Sequence, residues 1–360
     1  MSAAPQMNLE DHYDTLAIAT IAKYSPQALA ATFGPQVLRN TTPMGLPDTL
    51  RALESRAAGT FTSPQAMLTS DVFTDYIRNV ANLAGLVGYN MEAPAILESS
   101  HETLMIEDFQ PQERARLSAF PALLSVAEGS EVQYGGLADK GESYAAAVFS
   151  RLLELSIQAI QNGRLDMVVN PSMIAGRAVA DTKASILAGL IEGNPTLRDG
   201  LPVFHADHGN LETGAAVTIE GMRASLKAAR AKMLRQKDVD GERPAPVTPA
   251  FIVVPPELQT NAEQLVADIE AATVETVNPF AGKLRVLTEP RLSDENSWYL
   301  FARPEQQMSL EHGTVSGTED PEIRVEAPIG KHSIITRVSI SFGAGWLDHR
   351  GAFKITSAGA

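Results

Sequence analysis

The chain has 360 residues, a formal net charge of −14 and no cysteine; 44% of its residues are hydrophobic and 20% are charged. This composition is ordinary for a globular chain with a large core, and the missing thiols exclude disulfides, cysteine-ligated zinc and thiol nucleophiles. At about 150 residues per domain the length predicts two domains or one elaborate one. The acidity argues against a dedicated nucleic-acid binder, whose affinity comes from a basic face.

Residues 1 to 66 have weak periodicity and many breakers, as in "TTPMGLPDTL" and "AAGTFTSPQ", and read as an arm with short helical pieces. "SDVFTDYIRNVANLAGLVGY", from Ser70, is a better helix, with Phe73, Ile77, Val80 and Leu83 at helical spacing. Residues 104 to 126 look extended and turn-broken. The polar, glycine-rich "EGSEVQYGGLADKGESY", 128 to 144, has little to bury and reads as a long hairpin or loop. "AVFSRLLELSIQAIQNG" fits two periods: Leu152, Leu155 and Ala159 suit a helix, while Val148, Ser150, Leu152 and Glu154 suit a strand.

From Asn170 the chain predicts a long helix to Gly193, with Asn170 as cap and Pro171 where a missing N–H costs nothing. A second helix spans 219 to 237, opening near Thr218; its basic residues fall on the polar side, as a solvated face. "AFIVVP" is a buried-type strand. "TNAEQLVADIEAA" carries a capping box at Thr260 and Glu263. "KLRVLTEP" and "SWYLFARP" read as strands, and "HSIITRVSISF" alternates as a half-buried one. No apolar run approaches the ~20 residues of a membrane span. The start "MSAAPQMNLEDHYD" lacks the pattern of a secretory signal, so a soluble cytosolic product is expected.

The chemistry-bearing stretch is "LPVFHADHGNLET", 201 to 213, with His205, Asp207 and His208 among only 7 histidines in the chain. Imidazole and carboxylate suit zinc or iron, which makes these three the metal candidates and a metal-dependent hydrolase the distant functional alternative. The favoured reading is a structured turn and no metal. Asp and Asn bond nearby backbone amides, Gly209 permits positive φ, and no second histidine pair has ligand spacing. There is no dinucleotide fingerprint, phosphate loop or nucleophile elbow, so no cofactor and no catalytic residue is expected.

"GLPVFHADHGNL" resembles a segment of tailed-phage major capsid proteins, most closely the group often encoded as a prohead protease fusion. "EDFQPQERARLSAFPALLSVAEGSEVQYGGLADKGESY", "NPFAGKLRVLTEPRL", "SWYLFARP" and "VSISFGAGWLDHRGAFK" resemble the same family in the same order, over roughly residues 70 to 356. The resemblance implies an α+β fold of the Hong Kong ninety-seven type. Its parts would be an N-terminal arm (1–66), a first peripheral segment (67–127) and an extended loop (128–146). A peripheral segment with a spine helix at about 170–193 (147–210), an axial domain (211–325) and a return strand with the C-terminus in the peripheral domain (326–360) would follow. "AVFSRLLELS" then becomes the returning strand of the loop.

The implied function is an icosahedral head shell around packaged double-stranded DNA, with an encapsulin-type compartment as the alternative, and with no enzymatic activity. The implied partners are further copies in hexamers and pentamers, met through loop residues Gln133, Tyr134, Lys140 and Glu142. The resemblance also brings in a portal, scaffold or prohead protease, a decoration protein, and DNA held weakly and non-specifically. The expected location is the virion, after assembly in the host cytoplasm, with no membrane partner. An acidic lining fits such a container, because a wall that gripped DNA would hinder packaging. Two features depart from the family. No protease region is present, and no asparagine follows Asn296. Lys140 therefore has no C-terminal partner for the crosslink that some relatives form, and no covalent chainmail is expected.

Overall fold

The computed structural model describes residues 15–56, 71–91, 94–114, 141–156, 166–238, 241, 244–267, 284–317, 321–326 and 333–357. In chain order the helices are α1 (Thr15–Tyr24), α2 (Pro26–Phe33), α3 (Gln36–Asn40), α4 (Leu46–Arg56), α5 (Asp71–Met91), α6 (Asp166–Gly193), α7 (Ile219–Met233) and α8 (Gln259–Val266). The strands are β1 (His101–Ile106), β2 (Gln112–Arg114), β3 (Glu142–Tyr144), β4 (Ala147–Ser156), β5 (Leu211–Gly214) and β6 (Pro249–Val254). They continue with β7 (Arg285–Thr288), β8 (Ser297–Ala302), β9 (Leu310–Val315), β10 (Glu322–Glu326), β11 (Ser333–Trp346) and β12 (Ala352–Ser357). Two compact units result, and the chain passes from one to the other within α6 and within β11. Among the described residues, no helix is long and apolar enough to cross a membrane.

The first unit holds α1 to α5, β4, the start of α6, β10 and most of β11. The periodic residues of α5 (Phe73, Ile77, Val80 and Leu83) are all buried in its core. The segment that reads as an arm forms α1 to α4, and Leu16, Ile21, Leu29 and Leu53 lie in that same core. Sequence pattern misses this burial because "TLAIATIAKY" is apolar on every side, so it shows no stripe. Thr20 and Tyr76 join α1 to α5 by a buried hydroxyl pair at 2.7 Å. Strand β4 pairs antiparallel with β11 from Ala147↔Phe342 to Ser156↔Ser333, and β10 pairs on the other side of β11. The strand period therefore wins over the helix period in "AVFSRLLELS".

Helix α6 begins at Asp166, four residues ahead of the expected cap, so Pro171 lies inside it. There it removes the N–H that would have bonded the Met167 carbonyl in the second turn.

The second unit holds a sheet in the order β5-β12-β8-β6-β7. Strand β8 is buried at every position. Trp298 and Leu300 face one core with Met222, Leu226 and Leu265 of α7 and α8. Tyr299 and Phe301 face the other, with Leu187, Ile191, Phe204 and Trp346. A strand covered on both faces reads as an unbroken apolar run, which is what "SWYLFA" shows. Helix α7 starts where expected: Thr218 caps it by accepting from the Gly221 amide at 3.2 Å. The capping box at Thr260 does not form. Helix α8 begins at Gln259, directly after a 3₁₀ turn, and Glu263 accepts from Gln259 instead.

The C-terminus also departs from the expected division. Strand β12 follows β11 but lies in the middle of the second sheet, between β5 and β8, where Phe353 and Ile355 are fully buried. The turn between β11 and β12 makes this possible. Gly351 lies so close to Ser309 that a Cβ would sit 2.2 Å from its hydroxyl.

Candidate functional site

The stretch around His205 lies in the second unit, between α6 and β5. Asn210 organises it. This side chain is fully buried; its Oδ1 accepts from the His205 amide (3.1 Å), and its Nδ2 donates to the carbonyls of Val203 (2.8 Å) and His349 (3.0 Å). Asn194, in a left-handed conformation at φ 45°, closes the other end by bonding both the amide and the carbonyl of Phe204. Gly209, at φ 66°, completes the turn in a region that glycine enters at no steric cost. Asn210→Ala strips a fully buried group and orphans backbone partners in two segments. It is expected to cost roughly 2–3 kcal/mol, read as a lower denaturation midpoint with an unchanged slope.

The three histidine-region candidates do not gather. His205 Nδ1 accepts from the Asp207 amide at 3.2 Å, so it has no proton to offer the Asp207 carboxylate 3.5 Å away. His208 turns from both. Its Nδ1 meets the Val203 carbonyl at 3.0 Å and its Nε2 meets Asp199 Oδ2 at 3.0 Å. The His349 ring stacks on it, with centroids 3.8 Å apart and planes 5° apart. Burial pushes the Asp199 carboxyl up, but the Leu201 amide, His208 and His349 outweigh that and hold it below its ordinary range.

Beside this cluster lies a buried ion pair from "WLDHRG". Asp348 is fully buried and takes the Arg350 Nε–H at 2.9 Å, while Arg350 Nη1 reaches Asp238 Oδ1 (3.0 Å) and the Lys237 carbonyl (3.1 Å). Arg350 and Asp238, with Asp199, His208 and His349, line a cavity of about 850 Å³. Asp199, His349, Asp348 and Arg350 are functional candidates that sequence reasoning missed. Asp199 has no motif around it, and His349 lies far along the chain from His208.

Of the loop residues, Gln133, Tyr134 and Lys140 lie outside the described residues. Glu142 stands at the foot of the loop, in β3, where its two carboxylate oxygens accept from the Arg198 amide at 3.0 and 3.2 Å. The β2–β3 ladder, Gln112↔Tyr144 to Arg114↔Glu142, closes that foot. Glu311 anchors it: the carboxylate is 4% exposed and takes Arg114 Nε at 2.8 Å and the Tyr144 hydroxyl at 2.5 Å. Burial and Glu311 both raise the Tyr144 phenol above its ordinary range, which keeps it a donor.

The first unit carries a different kind of surface. Strand β4 and helix α6 flank an apolar groove of about 520 Å³. Leu152 and Ile174 on its rim are 65% and 64% exposed. Isolated exposed leucines are ordinary; a concave patch of them marks an interaction surface.

This combination of a double-faced sheet unit and a helix-and-strand unit is the architecture of tailed-phage shell proteins, of the Hong Kong ninety-seven type. The capsid protein of cyanophage P-SCSP1u matches with a TM-score of 0.54 at 10% identity, over 74% of this chain and 89% of that one. The Mycobacterium phage Adephagia structure matches at 0.50 and 8% identity, over 74% and 90%. A virus-like particle from Pyrococcus furiosus matches at 0.48 and 12% identity, over 76% and 97%. No curated protein sequence matches significantly. The phage capsid protein family model matches residues 141–355, more than half of the chain, and the chain belongs to that family.

Proposed function

We propose that this chain is the major capsid protein of a tailed bacteriophage, assembling with copies of itself into the icosahedral head that encloses double-stranded DNA. The observation that carries the reading is the family match over residues 141–355 on a fold shared with phage capsids. The role is structural. Its partners are further copies in hexamers and pentamers, with a portal, scaffold or protease present during assembly in the host cytoplasm. The 128–146 segment contacts a neighbouring copy.

The groove beside β4 supports self-association through this first unit. Its apolar rim stays in water unless a second copy covers it, and many weak contacts in a closed shell multiply. Electron microscopy of the expressed chain is the test, with closed icosahedral particles as the expected result. Leu152→Asp and Ile174→Asp place a charge on that exposed rim, at side chains that are 65% and 64% exposed. Both variants are expected to keep the wild-type circular dichroism and melting curve but lose particles at least about tenfold, as many repeated contacts weaken together. Wild-type particle yields from both would remove the groove from the interface. Particles filled with a cargo enzyme instead of DNA would favour the encapsulin alternative.

A further inference from the structure

We propose that Asp199, His208 and His349 bind one divalent transition-metal ion of the zinc class, stapling the turn after α6 to the turn between β11 and β12. The three offer one ligand atom each, all within 4.8 Å of one another. Two imidazoles and a carboxylate are a donor set suited to such ions.

The hydrogen bonding around His208 carries the argument. A carbonyl only accepts, so the Val203 carbonyl, 3.0 Å from Nδ1, places a proton on that nitrogen. In the neutral ring Nε2 then bears a lone pair, and it faces Asp199 Oδ2 at 3.0 Å. A proton on Nε2 completes that contact as a hydrogen bond, and a divalent ion that displaces the proton meets the Nε2 lone pair and the carboxylate together. A histidine whose far N–H is held by a backbone carbonyl, with its other nitrogen turned to a common point, is the arrangement that metal-ligating histidines adopt. Asp199 has an outer partner too: its Oδ1 takes the Leu201 amide at 2.9 Å.

The site is built and reachable. The His208 side chain is 6% exposed, while Asp199 is 33% exposed and opens on the cavity of about 850 Å³. Arg350 in the cavity wall is neutralised by Asp348 and Asp238, so its charge does not oppose a bound ion. The stacked rings set one requirement. Parallel imidazoles 3.8 Å apart direct their lone pairs side by side, so sharing one ion requires His349 to turn about its terminal torsion. That torsion is broad and two-fold, and the turn exchanges the stack on His208 for a bond to the ion.

Zinc retention by the purified full-length protein tests this, after metal stripping, loading with zinc chloride and dialysis. The expected result is one zinc per chain and a raised melting temperature, because the ion binds only the folded arrangement. His208→Gln and His349→Phe are expected to lower zinc affinity at least about tenfold, on the scale of weakened metal sites. The phenylalanine keeps a ring on the stack while removing the nitrogen. His205→Gln serves as control and keeps wild-type affinity. Cobalt(II) in place of zinc reads nitrogen ligation directly from its visible bands. Failure of the wild-type protein to retain zinc would overturn the proposal. So would wild-type affinity in His349→Phe, or a loss in His205→Gln that matched the loss in His208→Gln. If His208→Gln does not fold, His349→Phe and the cobalt spectrum decide alone.

Discussion

Gly176→Ala is expected to leave little folded protein, although the change is a single methyl group. In the first unit, α5 and α6 approach backbone to backbone. A Cβ built on Gly176 would lie 1.9 Å from the Gly85 carbonyl oxygen and 2.8 Å from the Tyr89 nitrogen. The facing position is the same: a Cβ on Gly88 would meet the Met173 carbonyl oxygen at 2.1 Å. Flexible side chains can yield by a rotamer change, but these obstacles are main chain, so a whole helix must shift. Overpacking a core costs about 1–3 kcal/mol where side chains can adjust. A shift of α6 breaks its contacts through Val169 and Val179 with the core of this unit as well, so at least about 3 kcal/mol is expected here. Gly189 on the same helix is the control. It is exposed and a Cβ there meets nothing within 4 Å, so Gly189→Ala should stabilise by about 0.5–1 kcal/mol through helix propensity alone. Equal denaturation midpoints for Gly176→Ala and the wild type would show that the two helices do not pack as described.

These two glycines illustrate what sequence order hides. The apolar period of α5 and the alternation along β11 are local properties, and both elements stand where the pattern puts them, with longer ends. The tight crossing of α5 and α6 depends on Gly176 meeting Gly85 and Tyr89, and Gly88 meeting Met173, across a long separation, and neither glycine has a local signal. The histidine turn behaves in the same way. "HADHGN" shows its turn chemistry in sequence, and Asn210 and Gly209 use it as expected. Its side-chain partners, Asp199 and His349, are set by the fold. The burial of α1 went unread for another reason: a helix apolar all round has no amphipathic stripe to betray which face is inside. The ending "VSISFGAGWLDHRGAFK" was legible by its resemblance, yet nothing in its composition says why those residues occur together. The structure supplies the reason. Trp346 donates to the Leu190 carbonyl at 3.0 Å and packs on Phe204 and Phe301, Gly351 lies against Ser309, and between them sits a charge pair with almost no access to water.

That pair is an expensive place to leave half-occupied. Arg350 and Asp348 are 6% and 0% exposed at their side chains, and Asp238, the second carboxylate, is 12% exposed. Burial works against the Arg350 charge, but Asp348 and then Asp238 overcome it and hold the guanidinium above its ordinary range. Removing one member of a buried pair leaves an uncompensated charge, at a cost of about 3–5 kcal/mol. Arg350→Ala is therefore expected to lose about 4 kcal/mol, within that range. Arg350→Lys should recover only part, since an ammonium cannot serve Asp348, Asp238 and the Lys237 carbonyl with one planar fork. The informative variant removes both charges. In Asp348→Asn/Arg350→Met only the partly exposed Asp238 keeps a charge, so the double variant should be more stable than Arg350→Met alone, and the single costs of Asp348→Asn and Arg350→Met should fail to add by more than about 1 kcal/mol. Urea denaturation of the four chains of this cycle measures that coupling directly. Additive costs would mean that Asp348 finds another counter-charge or water, and that this turn is held by its apolar neighbours alone.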